Sequence, residues 1–132
     1  MFVRPEVYEK GLPRQARVGD GFMANPRITS VATAGDLTVT VAAVLGGVAQ
    51  FTGAAGAVAY TLPLAVDLIA AMPDMDIGDS YVFAISNTAA QVATVTTNIG
   101  ITLSGNAATI NASMKWIVLT KTAATTMNAV IL

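Results

Sequence analysis

Asp74, Asp76 and Asp79 fall in the run Asp74-Met75-Asp76-Ile77-Gly78-Asp79, the one concentration of ionisable groups after the first 27 residues. Oxygen-rich loops of this kind can hold Ca²⁺, but the spacing does not match the twelve-residue loop that ends in a bidentate Glu. A pair of carboxylates can also cleave a glycosidic bond. Side chains two positions apart in one short loop do not flank a substrate, however, and no aromatic-rich cleft accompanies them. The spacing therefore favours a solvated turn in which Asp accepts from backbone donors.

Other chemistries are excluded by residue type. The chain has no cysteine and no histidine. Thiol nucleophiles, Ser-His-Asp and Cys-His catalysis, and the usual zinc and copper sites are thereby removed. Gly46-Gly47 and Gly53-Ala54-Ala55-Gly56 lack the Gly-Lys-Ser/Thr ending of a phosphate loop and read as turn or packing glycines. Tyr81 and Trp116 could form a stacking platform for a sugar or base, but aromatics on an alternating strand face belong more often to a core. No catalytic, cofactor-binding or metal-binding residue is assigned.

The elements that would carry these residues are mostly strands. Leu37 to Val44 opens on apolar–polar alternation and is expected to be one. Further strands are expected at Val48–Thr52, Val58–Leu62, Ser80–Ser86, Gln91–Thr97, Ile99–Leu103, Ala108–Ala112, Met114–Thr120 and Thr126–Leu132. The one helix expected lies at 64–72, with Pro63 at its first position, Leu64, Leu68 and Met72 on one face, and Pro73 as its stop. Many short strands at about ten-residue spacing predict an all-β fold of β-sandwich or jelly-roll type. Two segments are distinguished: an extended arm, residues 1–28, broken by Pro5, Pro13 and Pro26, and a β-rich body, residues 29–132.

Charge divides the chain at the same place. Charged residues are 11% of the total, against about 25% in an ordinary domain. Residues 1–27 hold five basic and three acidic side chains; residues 28–132 hold two basic and five acidic ones. Leu37 to Val66 has no charge, and Ser80 to Leu132 has only Lys115 and Lys121. Thr, Ser, Asn and Ala fill strand faces that should be polar, and the chain holds sixteen Thr and 24 Ala. Either a membrane or other protein must cover such a surface. Val39 to Ala59 is long enough to span a bilayer, but its four glycines, its strand-like start and the lack of flanking basic or aromatic belts argue against a transmembrane helix. The N-terminus lacks the apolar core of a signal peptide. A net charge of −1 gives no attraction to nucleic acid. The remaining expectation is an obligate oligomer, with strand edges lacking the Lys and Pro that block edge pairing and a buried C-terminus. The arm, with Phe2, Val3, Val7, Tyr8, Leu12, Phe22 and Met23, is expected to lie on its own body or on a neighbouring protein.

Tyr60-Thr61-Leu62-Pro63, the apolar helix ending at Pro73, and Ile77-Gly78-Asp79-Ser80-Tyr81-Val82-Phe83-Ala84-Ile85-Ser86-Asn87-Thr88 together resemble a module of tailed-bacteriophage capsid decoration (cement) and head-fibre proteins. Ala93-Thr94-Val95 and Ile101-Thr102-Leu103-Ser104-Gly105-Asn106 continue the likeness, which covers about residues 58–132. Pro73-Asp74-Met75-Asp76 departs from it, since small neutral residues are expected there. The resemblance implies a homotrimer on the outer surface of the virion head that clamps neighbouring major capsid subunits, without a cofactor. On that reading Phe2, Arg4, Tyr8, Arg14, Arg17, Phe22 and Arg27 of the arm contact the capsid. Leu62, Pro63, Leu68, Phe83, Ile85, Trp116, Val130, Ile131 and Leu132 form the trimer interface and core. The alternative is a trimeric head-fibre or tail-spike domain that binds a host glycan.

Overall fold

A computed structural model describes residues 26–132. Of these, 57% lie in strands and 12% in helices, so the fold is all-β, as expected. The elements are β1 (Arg27–Ala32), β2 (Leu37–Thr38), α1 (Val41–Gly46), β3 (Gly47–Thr52), β4 (Val58–Thr61), α2 (Ala65–Ala71), β5 (Ser80–Thr96), β6 (Ile101–Gly105), β7 (Thr109–Ala123) and β8 (Thr126–Ile131).

All eight strands join in one sheet, ordered β1-β3-β5-β7-β8-β6, with β2 and β4 attached as a branch through β5. The β5–β7 and β7–β8 pairs are antiparallel, and the other pairs are parallel. The organising element is the 17-residue β5, where two shorter strands were expected. Its first part pairs with β3 through Ala84–Asn87, and its last part pairs with β4 through Ala93–Thr96. Between them the register against β7 shifts: Asn87 faces Ser113, but Val92 faces Asn111. Five steps on β5 thus match two on β7. Asn87 stabilises this bulge from inside. Its Nδ2 donates to the Gln91 and Ile110 carbonyls at 2.6 and 3.0 Å, and its Oδ1 accepts from the Ala89 N–H at 3.1 Å. Asn87 is the one buried polar residue among the described residues. Ala112 opposite adopts φ +49°, and β7 runs through it from Thr109 to Ala123 where two strands were expected.

Three local expectations are corrected. Leu37–Val44 is not one strand: pairing stops at Thr38, and Val41–Gly46 is helical. Thr40 is the reason, because its hydroxyl accepts from the Ala43 N–H at 3.1 Å and caps the helix. Gly47, at φ 107°, ends it, with its N–H on the Val44 carbonyl. In the second helix Leu64, at ψ 141°, is the N-cap, so Pro63 precedes the helix instead of occupying its first turn. Ile99 lies outside β6 and is 81% exposed.

The sheet buries one apolar face. Burial alternates along β3, β4 and β8. Phe51, Tyr60, Phe83, Ile85, Ile117, Leu119 and Ile131 form one core cluster that Val44 of α1 and Leu68 of α2 complete. The Phe51 and Tyr60 rings meet at 4.4 Å and 43°. Two tyrosines in this core differ in one respect. Tyr81 donates its O–H to the Leu45 carbonyl at 2.7 Å, whereas the buried Tyr60 hydroxyl has no partner among the described residues. Tyr81→Phe is therefore expected to cost about 1–2 kcal/mol, and Tyr60→Phe to be neutral or stabilising, in paired thermal or urea melts. Burial pushes both phenol pKa values up. The stability this neutral form contributes is present below the ordinary tyrosine pKa near 10, and is lost as pH rises through the higher folded-state values. Both variants should flatten that alkaline decline.

Candidate subunit interface

The face opposite the core is where the charge shortage shows. Strand register places Ile28, Val48, Ala84 and Trp116 in one row across β1, β3, β5 and β7. A second row holds Val82, Val118 and Val130. A third holds Ser30, Gln50, Ser86 and Met114. None of these eleven side chains is charged. Ile28 is 62% exposed, Met114 46% and Trp116 37%. Trp116 is thus a surface residue and not a core one, which corrects its expected place. Ala84, directly opposite it, is fully buried yet lies outside the core cluster.

Where an ordinary sheet would place charges, this one pairs hydroxyls. Thr61 and Thr96 meet at 2.9 Å, Ser80 and Thr120 at 2.8 Å, and Thr122 and Thr126 at 2.8 Å. These satisfy polar groups without the desolvation cost that a buried charge would incur. Both lysines of the second half are directed at backbone carbonyls: Lys115 donates to Ala107, and Lys121 to Met75 at 3.1 Å.

The strand order also identifies the edges. β1 and β6 end it, and each pairs with one neighbour among the described residues. β6, Ile101-Thr102-Leu103-Ser104-Gly105, contains no charge and no proline. β1 has Arg27 at its first position and none beyond it. Gly105, at φ +94°, holds β6 against the end of β8. A Cβ there would run into the Ile131 carbonyl oxygen and sit 2.8 Å from its nitrogen.

The expected interface and core residues separate into two groups. Leu62, Pro63, Leu68, Phe83, Ile85 and Ile131 are buried within the protomer. Trp116, Val130 and Leu132 reach the surface, and Leu132, expected to be buried, is 58% exposed while its N–H donates to the Trp116 carbonyl at 3.0 Å. Of the arm residues, Arg27 is exposed at the head of β1; Phe2, Arg4, Tyr8, Arg14, Arg17 and Phe22 lie outside the described residues.

The acidic run forms the turn its spacing suggests. Asp79 Oδ2 accepts from the Asp76 N–H at 2.8 Å, and the Asp79 N–H returns to the Asp76 carbonyl at 3.0 Å. Among the described residues no group of three or more His, Cys, Asp or Glu is arranged to hold a metal ion. Tyr81, the other platform candidate, is buried with its hydroxyl on Leu45. A depression of about 300 Å³ beside α1 is walled by Val31, Leu37, Thr38, Ala43 and Phe51, and its lining contains no titratable side chain. Among the described residues no helix is long and apolar enough to cross a membrane.

Comparison with family models, with curated proteins and with solved structures finds no match to this chain.

Proposed function

We propose that the protein is a non-enzymatic capsid decoration protein that assembles as a trimer on the outside of a bacteriophage head and clamps neighbouring major capsid subunits. The observation that carries this reading is that β1 and β6 each have one strand neighbour among the described residues, on a body with few charged side chains. Edge strands left open in this way recruit another strand. β1 of one copy against β6 of the next is a head-to-tail contact, and such contacts close into rings when the rotation allows. The module that residues 58–132 resemble closes at three. A ligand that binds only the assembled lattice stabilises it by mass action, and several copies per ring add avidity.

The exposed indole of Trp116 is what favours the alternative, a glycan-binding fibre domain. Its ladder partner Ala84 supplies no polar group to orient a sugar hydroxyl, so the decoration reading is the better supported. Light scattering of the full chain should give about three times 13.5 kDa. A monomer at micromolar concentration would overturn the trimer.

A further inference from the structure

Given the head-to-tail ring proposed above, on which this rests, we infer that the depression beside α1 is a socket for Leu103 of a second copy, whose β6 lies parallel to β1. The sheet topology puts the socket at the required edge. β3 and β4 both pair with the side of β5 that β7 leaves free, β3 along Ala84–Asn87 and β4 along Ala93–Thr96. β1 ends the first branch and β2 ends the second. Val31 and Ala32 of β1 and Leu37 and Thr38 of β2 wall the depression, together with Phe51 and Ala43. It therefore lies between the two branch ends.

β6 stands at the other end of the strand order. From β1 to β6 the successive pairs are parallel, parallel, antiparallel, antiparallel and parallel. β1 and β6 thus run in the same direction. A ring that turns about an axis along the strands brings β6 of the next copy beside β1 and parallel to it. Side-chain parity then restricts the register. In β1, Thr29 and Val31 stand beside the buried Ala49 and Phe51, on the core side. In β6, Ile101 and Leu103 stand beside the buried Met127 and Ala129, whereas Thr102 and Ser104 are exposed. A slip of one residue would turn the apolar side chains of β6 outward. Setting Leu103 beside Val31 keeps parity and delivers a large apolar side chain to the depression. The same register pairs Thr102 with Ser30. Size fits as well. A cavity of about 150 Å³ takes a benzene-sized group, so a leucine side chain enters about 300 Å³ without moving its walls. Val31 is 38% exposed and Leu103 is half-buried, so each gains cover from the other. Neither the lining nor β6 carries a charge that would have to be desolvated.

Because the chain has no cysteine, disulfide cross-linking reads this register directly. Facing residues of paired strands are about 4.8 Å apart, and a disulfide bridges Cα atoms about 4.4–6.8 Å apart. In the full chain, Val31→Cys/Leu103→Cys under a mild oxidant should give reducible dimers and trimers on a denaturing gel. Ser30→Cys/Thr102→Cys should do the same, and both of its positions are exposed, so it reports even where the inward pair disturbs folding. Ile28→Cys/Ser104→Cys is out of register and should stay unlinked, as should each single variant. Light scattering on the same samples separates the two claims. A trimer in which a matched pair folds, by circular dichroism, and fails to link would overturn the register and leave the ring standing. Linking by Ile28/Ser104 or by a single variant would overturn it too. A monomer that never links would overturn both the socket and the ring.

Discussion

Replacing Thr102 and Ser104 of β6 by lysine is expected to convert the proposed trimer to monomers. Both residues are exposed on the strand that ends the sheet, and neither belongs to the core cluster. A lysine on an edge strand opposes pairing with a further strand, because the incoming strand would have to desolvate or displace a charge. Two such charges at one contact cost several kcal/mol, so the subunit dissociation constant should rise by at least about 100-fold. The protomer itself should be little affected. Surface substitutions of this kind change stability by about 0.5 kcal/mol or less. Light scattering and a thermal melt on the same sample separate the two effects. A trimer of unchanged mass would show that β6 is not a subunit contact.

The second large effect concerns folding. Gly105→Ala is expected to destabilise the protein by roughly 3–5 kcal/mol, which combines the strain of an L residue at positive φ with overpacking against backbone. The methyl group would meet the Ile131 main chain, and this obstacle cannot rotate away as a flexible side chain would. Gly105 also stands beside Ile131 in the β6–β8 ladder, while Ile131 faces Ile117 across β7–β8. The same residue thus ties the edge strand to the core. Gly35→Ala, with no atom within 4 Å of the added carbon and no positive φ, is the matched control and should stay within about 0.5 kcal/mol of wild type. Urea midpoints of the two variants measure the difference. Equal midpoints would refute the claim of close approach at position 105.

The alternation in Tyr81, Phe83 and Ile85 was enough to define the core face of β5. A strand buried on one side repeats with period two whatever its partners. The helix Val41–Gly46 was not read, although Thr40 at its N-cap and two glycines at its C-terminus mark its ends. The alternation in Leu37-Thr38-Val39-Thr40-Val41 masked it. The bulge in β5 was not legible. It depends on the buried amide of Asn87 bridging to Ile110, 23 residues away, and local patterning has no access to such a contact. The surface position of Trp116 escaped for a related reason. Trp116 and Val118 alternate correctly with Ile117 and Leu119, and only the long-range register shows which of the two faces the helices cover. The shortage of charge, by contrast, was visible from composition, and the structure places it on the outer face and on the terminal strand β6.

Hydroxyl pairs on the strands, a lysine-free edge strand and an exposed indole are the features on which the proposed decoration role rests. Co-sedimentation of the full chain with mature heads and with unassembled subunits of the cognate major capsid protein tests this most directly. The account predicts saturable binding to the heads, in multiples of three copies per site, and none to the free subunits. Equal binding to both, or binding to neither, would contradict it.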